Sequence, residues 1–256
     1  MTSRHSPALL REFKEQGLTQ VLPDRVLAAG PLVVWTDLHL QAEAPDEIRA
    51  FSSQIEALPA GETLLILGDL FDAWTGPESV AAPEFAPLRT ALAARQATGQ
   101  ASILLRGNRD VLMRPSQAAA LGLSLADRVL WQRPAGSILF SHGDEYCLND
   151  QPYQRLRRTL RRPLVRAILR CLPARVRVWM GKKMRGHSQE AVARKPLDTL
   201  ALELPAAERA LDAAQSGLAV IGHLHAPAEH QLAGEKRLIV LPAWQPKQPA
   251  WTSPEA

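Results

Sequence analysis

The sequence predicts a layered α/β fold with an inserted helical cap, and three observations carry this prediction. Short apolar runs typical of buried strands alternate with helical stretches over most of the 256 residues. Fragments rich in Asp, Asn and His directly follow five of these runs, where α/β folds usually build their sites. A basic helical stretch at 151–200 interrupts the alternation. We therefore expect α/β layers carrying a cap.

The individual elements follow from apolar runs, helical spacing and the glycines that end helices. Strands are predicted at 32–35, 63–67, 101–105, 128–131, 137–141, 218–221 and 238–241. Helices are predicted at 47–58, 86–98, 116–121 and 206–216. These elements divide the chain into an N-terminal extension (1–30), a core (31–150 and 201–245), a basic helical cap (151–200) and a flexible proline-rich tail (246–256).

The composition excludes several classes of protein. Hydrophobic residues make up 46% of the chain, enough for a sizeable core and too many for a disordered protein. Two cysteines, Cys147 and Cys171, are too few for a disulfide framework, so we expect reduced thiols in the cytoplasm. Residues 1–11 do not resemble a signal peptide, and no run reaches the roughly 20 apolar residues that span a bilayer. Any membrane contact is therefore expected to be peripheral.

The formal net charge of +4 conceals a strong asymmetry. The segment 151–200 contains 14 Lys or Arg against Glu190 and Asp198, a local balance of +12. The other 206 residues therefore carry −8. A basic segment of this kind needs an anionic partner, which can be substrate phosphates, lipid headgroups or nucleic acid.

Five fragments concentrate side chains that bind metals, and each follows an apolar run: Asp37-Leu38-His39, Gly68-Asp69, Gly107-Asn108-Arg109-Asp110, His142-Gly143-Asp144 and Gly222-His223-Leu224-His225. Taken singly, such fragments are more often caps, turns or surface residues than ligands. Five of them in order, each after a strand, indicate a site for two metal ions. The mixed nitrogen and oxygen donors suit Mn, Zn, Fe or Co better than Ca, and they leave the ion open.

The seven side chains can be divided between two ions, with Asp69 shared by both. Asp37 and His39 are two residues apart, so on an extended chain they point the same way and reach one ion. The same spacing relates His223 and His225. The carboxylate of Asp69 can bridge both ions, His225 joins the first ion, and the second ion is reached by Asn108, His142 and His223. Such a pair of ions polarises a phosphoryl group and generates hydroxide for in-line attack on phosphorus.

These fragments resemble the calcineurin-like metallophosphoesterase superfamily, with Arg109 in place of the usual His after Asn108. More narrowly, residues 32–230 resemble the UDP-2,3-diacylglucosamine diphosphatases of lipid A synthesis. That family shares Gly-Asn-Arg-Asp, Gly-Asp-x-Phe-x-x-Trp (68–74), His-Gly-Asp-x-x-Cys (142–147) and Asp-x-x-Tyr-Gln (150–154). The resemblance implies a sandwich of two central β-sheets flanked by helices.

The resemblance also implies a reaction. Water would attack the α-phosphorus of UDP-2,3-diacylglucosamine and release UMP and 2,3-diacylglucosamine 1-phosphate (lipid X). One ion, usually Mn²⁺, would be held by Asp37, His39, Asp69 and His225, and a second by Asp69, Asn108, His142 and His223. Asn108, Arg109 and His223 would act as catalytic residues against the reacting phosphates.

Arg109 favours a diphosphate over a phosphate ester of an alcohol. A guanidinium stabilises negative charge and cannot serve as a proton donor. A departing phosphate monoester, whose second pKa is near 6, needs little protonation, whereas an alkoxide needs an acid. The alternative is that Arg109 only pairs with Asp110 to hold the loop.

The basic cap is where the resemblance places the lipid. Basic and apolar residues interleave there, as in helices at an anionic membrane surface: Arg155, Leu156, Arg157, Arg158, Leu160, Arg161, Arg162, Leu164, Val165, Arg166, Ile168, Leu169, Arg170 and Leu172. The apolar stripe could also line an acyl-chain chamber. The alternative is a helical hairpin with its apolar face packed internally. Asp150 and Tyr153 match family residues that contact the glucosamine end of the substrate, and Ser188 and Lys195 match two further substrate contacts in the cap. Departures from the family fall at Val192, Leu224 and Ala226.

Other functions compete with hydrolysis of the UDP-2,3-diacylglucosamine diphosphate. Within the hydrolases, the rival is a pyrophosphatase or phosphoesterase acting on a soluble nucleotide, which lipid dependence of activity would exclude. A nucleic-acid-binding protein is disfavoured because aromatic residues make up 5% of the chain and the cap offers only Tyr153 and Trp179 for stacking. A non-catalytic scaffold would have no use for seven intact ligands, each of which costs desolvation. The expected partners are UDP-2,3-diacylglucosamine and the inner surface of the cytoplasmic membrane.

Overall fold

The computed structural model describes residues 23–181, 183 and 202–252. The strands in these residues are β1 (Arg25–Leu27), β2 (Leu32–Trp35), β3 (Thr63–Ile66), β4 (Ser102–Leu105), β5 (Ser124–Ala126), β6 (Arg128–Trp131), β7 (Ile138–Ser141), β8 (Leu218–Ile221), β9 (Ala228–Gln231) and β10 (Arg237–Val240). The helices are α1 (Pro45–Glu56), α2 (Ala86–Ala97), α3 (Pro115–Ala120), α4 (Gln151–Arg161), α5 (Pro163–Cys171) and α6 (Leu204–Ala214). Residues 174–181 are helical as well.

The strands form two sheets. Strands β2, β3, β4 and β5 make a four-stranded sheet in that order, and all neighbours run parallel. The other sheet has the order β1-β6-β7-β8-β10-β9, with β6/β7 and β10/β9 antiparallel. The predicted α/β layering is confirmed.

A core between the two sheets holds the layers together. It combines Leu65 and Ile103 of the small sheet with Val129, Phe140 and Val220 of the large sheet. Helices α1 and α2 cover the outer face of the small sheet, and α6 covers that of the large sheet. Burial on both faces explains why these strands read as continuous apolar runs.

Three strands escaped prediction, and each lies at a sheet edge. Strand β9 is mostly exposed and polar, while β1 and β5 have three residues each, too few to show a period. Strand β1 pairs with β6, so residues 25–27 belong to the sheet and the boundary predicted at residue 30 falls too late.

The tail was predicted to be flexible, but its described part is bonded to the core. The backbone of Trp251 exchanges two hydrogen bonds of 3.0 Å with Val34 in β2, and its ring contacts Phe140 edge-on. Trp244, which precedes the tail, is buried and donates a hydrogen bond to Gln54, and Gln54 donates one to the carbonyl of Pro246 in the tail. Indole burial outweighs the turn-forming prolines here.

The described part of the segment 151–200 is helical, as predicted, and arginines tie it to the core. Arg161 pairs with Asp127 at 3.0 Å, and Arg170 donates hydrogen bonds to the carbonyls of Leu112 and Met113. Residues 182 and 184–200 lie outside the described residues. Within the described ranges, no helix has the length and apolar character needed to traverse a bilayer.

Candidate metal centre

All five predicted fragments lie at the carboxyl ends of strands. Asp37, Asp69 and Asn108 follow β2, β3 and β4 of the small sheet, whereas His142 and His223 follow β7 and β8 of the large one. The site therefore bridges the two sheets. Backbone hydrogen bonds join neighbouring fragments, from Asp37 N to the Gly68 carbonyl and from Gly222 N to the His142 carbonyl.

The backbone at the ligands differs from the extended chain expected for Asp-x-His and His-x-His. Asp37, His39, Asp69, His223 and His225 all have φ between 48° and 69°. This left-handed region is costly for residues other than glycine. Residues that are held in it cluster at functional sites. The ligands therefore converge through sharp turns and not through the alternation of a strand.

Glycines make space for the two carboxylates. A Cβ on Gly107 would collide with Asp69, both at its carboxylate and at its backbone nitrogen. A Cβ on Gly222 would collide with the Asp37 carboxylate and with Thr36. The glycines of the predicted fragments thus allow the backbone to approach the ligands closely.

One group of possible ligands consists of Asp37, His39 and His225, whose donor atoms lie within 4.8 Å of one another. Nε2 of His39 lies 3.2 Å from Nε2 of His225, and Nε2 of His225 lies 3.3 Å from Oδ1 of Asp37. Nδ1 of His39 lies 4.0 Å from Oδ2 of Asp69. These four residues are the set predicted for the first ion.

The second group consists of Asp37, Asp69 and His142, all buried. Oδ1 of Asp69 lies 3.8 Å from Nε2 of His142, which is 2.9 Å from Oδ1 of Asn108. Asp69 is thus near ligands of both groups, as a bridging carboxylate must be. Asp37 was predicted for the first ion alone, but here it also belongs to the second group.

His223, the remaining member of the predicted set of ligands, lies beside His142. Its ring centre is 5.0 Å from that of His142, and its backbone nitrogen donates a 2.8 Å hydrogen bond to Oδ2 of Asp37. Thr36 Oγ1 donates to the same oxygen at 2.6 Å. These two bonds orient the Asp37 carboxylate so that its Oδ1 faces the histidines.

Two donor atoms of the cluster fit a cation. Oδ1 of Asp37 and Nδ1 of His39 are buried and have no hydrogen-bond partner of good geometry among the described residues. Buried polar atoms are normally satisfied, and a coordinated ion satisfies both of these. Carboxylates, imidazoles and one amide oxygen form the mixed donor set expected for a transition metal.

The electrostatics hold Asp37, His39 and His223 in the protonation states that bind cations. Burial opposes charge on Asp37, but His225 and the charge on His142 hold the pKa of its carboxyl below the usual value. Burial lowers the pKa of both His39 and His223, which keeps them neutral as ligands must be. Burial and the charge of Asp69 raise the pKa of Asp110 to about 8.

His142 carries a proton that a metal ion must displace. Burial opposes its charge, but the carboxylates of Asp69, Asp37 and Asp144 raise its pKa to about 9 from 6.5. At about pH 7.5 we therefore expect metal binding to release about one proton from His142, with affinity rising as the pH approaches 9. Calorimetric titration in buffers of different ionisation enthalpy measures this release. An unshifted His142 would release about a tenth as much.

Sequence comparison shows the family to which the chain belongs. The UDP-2,3-diacylglucosamine hydrolase of Bordetella parapertussis (strain 12822) is 36% identical over 229 residues, which cover 86% of this chain and 88% of that protein. The chain belongs to the UDP-2,3-diacylglucosamine hydrolase family. Family members from Sodalis glossinidius and Pseudomonas aeruginosa (strain UCBPP-PA14) are 34% and 35% identical; they align with 81% and 82% of this chain and with 87% and 89% of their own lengths.

Two other comparisons add little. No protein-family model matches the chain. An archaeal phosphodiesterase of solved structure aligns with 83% of this chain and 83% of its own, at a TM-score of 0.38 and 10% identity, too distant to bear on function.

In this hydrolase-family chain, Arg109 lies beside the carboxylate of Asp69. Its backbone nitrogen donates a 2.8 Å hydrogen bond to Oδ1 of Asp69, and its Nε is 4.0 Å from Oδ2. No ion pair joins Arg109 to Asp110, both of which the structure describes, and Asp110 instead accepts a hydrogen bond from the backbone of Leu70. The structure therefore shows no contact that supports the alternative in which Arg109 only pairs with Asp110.

Tyr153 connects helix α4 to the cluster. Its ring stacks on His223 with centres 5.9 Å apart, and its hydroxyl donates a 2.7 Å hydrogen bond to Asp144. Asp150 caps α4 by accepting a hydrogen bond from the backbone of Tyr153. Of the residues predicted to contact the substrate, Tyr153 therefore lies against the cluster. Asp150 lies next to it, at the N-cap position of α4. Ser188 and Lys195, with Val192, lie outside the described residues.

Sequence reasoning missed the support beneath Tyr153. Arg157 was expected to belong to a basic face towards an anionic surface, but its side chain is 10% exposed and donates a 2.7 Å hydrogen bond to Asp144. Burial opposes ionisation of Asp144, yet Arg157 and Arg161 hold its pKa well below the usual value. Asp144 stood in a predicted fragment, but spacing could not indicate that it binds α4.

Proposed function

We propose that this chain hydrolyses the diphosphate of UDP-2,3-diacylglucosamine, releasing UMP and 2,3-diacylglucosamine 1-phosphate after attack of water on the α-phosphorus. The observation that carries the proposal is the convergence of the seven predicted ligands at one edge of both sheets, in a chain whose relatives are named for this substrate. The carboxylates and imidazoles there suit a phosphate substrate held through cations.

Two divalent ions, most suitably Mn²⁺, would be held in this centre. The first would be bound by Asp37, His39, Asp69 and His225, and the second by Asp69, Asn108, His142 and His223. Bound there, the ions would polarise the phosphoryl group and supply a hydroxide nucleophile near neutral pH.

Arg109, Asn108 and His223 would contact the reacting phosphates. The guanidinium of Arg109 lies near the bridging carboxylate and would stabilise charge that develops on the phosphoryl oxygens. It cannot protonate a leaving group, and a departing phosphate monoester does not need it to. The stacked ring of Tyr153 would hold His223 in position and, with Asp150, would border the glucosamine end of the substrate.

The acylated end of the substrate would be bound by the cap, with Ser188 and Lys195 as further contacts. In the described part of the cap, Leu164, Ile168 and Trp179 are more than half exposed and neighbour exposed arginines. Apolar and basic residues in this arrangement suit the headgroup region of an anionic bilayer. We infer peripheral association with the inner surface of the cytoplasmic membrane and no nucleic-acid partner.

The experiment that tests the function measures UMP release from UDP-2,3-diacylglucosamine in detergent, with and without Mn²⁺. UDP-N-acetylglucosamine serves as the unacylated comparison. We expect metal-dependent release that is restricted to the acylated substrate.

Cleavage of both substrates would indicate the soluble-nucleotide pyrophosphatase instead. Cleavage of neither by protein that has bound metal would contradict the substrate assignment. Activity that persists fully in a strong chelator would contradict the metal centre.

A further inference from the structure

A second concave site lies outside the metal centre. It is a cavity of about 440 Å³ between α4, α6 and the short helical turn Asp144–Tyr146 beside β6. Its volume is in the range of small-molecule sites. None of the seven predicted metal ligands lines it.

The walls of this cavity are strongly basic. Arg128, Arg157, Arg158 and Arg209 line it against a single carboxylate, Glu145. Glu145 is already engaged, because Arg128 bonds it at 2.9 Å and Arg157 lies 3.6 Å away.

Two of these arginines are available to bind an anion. Among the described residues, neither Arg158 nor Arg209 forms an ion pair, and Arg158 donates a hydrogen bond to the carbonyl of Gln154. Both are exposed, so they can turn towards a ligand at little cost.

Apart from the arginines and Glu145, the lining of the cavity includes apolar side chains. The apolar residues Leu148, Ala206 and Ala210 complete the walls and suit the carbon atoms of a small organic molecule.

We propose that this cavity binds a small, soluble organic phosphate. Several guanidinium groups facing one paired carboxylate favour a dianion, and guanidinium forks match phosphate oxygens. Arg157 separates this site from the metal centre, because it bonds Asp144 beneath Tyr153 on its other side.

The test is calorimetric titration of glycerol 3-phosphate into the full, metal-loaded chain, with glycerol as the uncharged comparison. The double variant R158Q/R209Q is expected to weaken binding about tenfold or more, because it removes two charge-assisted contacts. Arg155→Gln is the control. Arg155 is an exposed residue of α4 that does not line the cavity, so its substitution should leave the binding of glycerol 3-phosphate unchanged.

Asp69→Asn separates this proposal from the hydrolase activity. Glycerol 3-phosphate bound in the cavity should bind this variant as tightly as wild type. Binding that disappears with Asp69→Asn, or that is unchanged in R158Q/R209Q, would assign the phosphate to the metal centre and overturn the proposal. Both exchanged arginines are exposed, so R158Q/R209Q is expected to melt within a few degrees of wild type.

Discussion

Replacing Asp69 with Asn should lower kcat for UMP release by on the order of 10³-fold and leave the chain with less than its full metal content. Asp69 lies 3.8 Å from His142 and 4.0 Å from His39, within reach of both proposed ions. Asn has nearly the same shape but no charge, so it cannot hold two cations together. Both ions should bind more weakly.

Metal content and activity are measured on the same preparation, by elemental analysis after dialysis and by UMP release. Asp46→Asn is the matched control, because Asp46 is exposed at the start of α1 and belongs to neither group of possible ligands. It should keep both ions and full activity. If Asp69→Asn retained two ions and wild-type kcat, Asp69 would not be a bridging ligand.

The interior strands were predictable from sequence because both of their faces are buried. In β3, Leu64 and Ile66 pack towards the helices, while Leu65 packs towards the other sheet, which leaves an unbroken apolar run. Edge strands lack this signal. Strand β9 has neither an apolar run nor a buried face, and it exists because β10 offers it hydrogen-bonding partners.

That these Asp, Asn and His side chains lie together was also predictable, but the way they converge was not. The expectation of an extended chain at Asp37 and His39 was wrong, because φ is 52° and 48° there. Non-glycine residues occupy this region only when the surrounding structure compels them. Here Asp37 N is bonded to the Gly68 carbonyl and His39 N to the Asp69 carbonyl, contacts between strands distant in sequence.

The role of Asp144 was inaccessible to sequence for a similar reason. It becomes evident only when α4 is placed over the core, because Tyr153, Arg157 and Arg161, which contact its carboxylate, all lie on that helix. A helical pattern shows which residues share a face, but not which face meets the core. Arg157 therefore looked like a surface charge.

Arg109→Ala is expected to reduce kcat for the diphosphate substrate about 10²- to 10³-fold while leaving both metal ions bound. The separation is possible because the backbone nitrogen of Arg109, and not its side chain, holds Oδ1 of Asp69. Alanine keeps that bond and removes only the guanidinium. Loss of metal from this variant would instead show that the side chain maintains the loop.

Arg109→His distinguishes charge stabilisation from proton donation. An imidazolium near neutral pH can protonate a departing oxygen, which a guanidinium cannot. For a diphosphate the leaving group gains little from that proton, so activity should stay low. For an alkyl phosphodiester the alkoxide needs it, so the ratio of alkyl-ester to diphosphate cleavage should rise above wild type. A ratio that stays unchanged while both activities fall would mean that Arg109 does not select between these leaving groups.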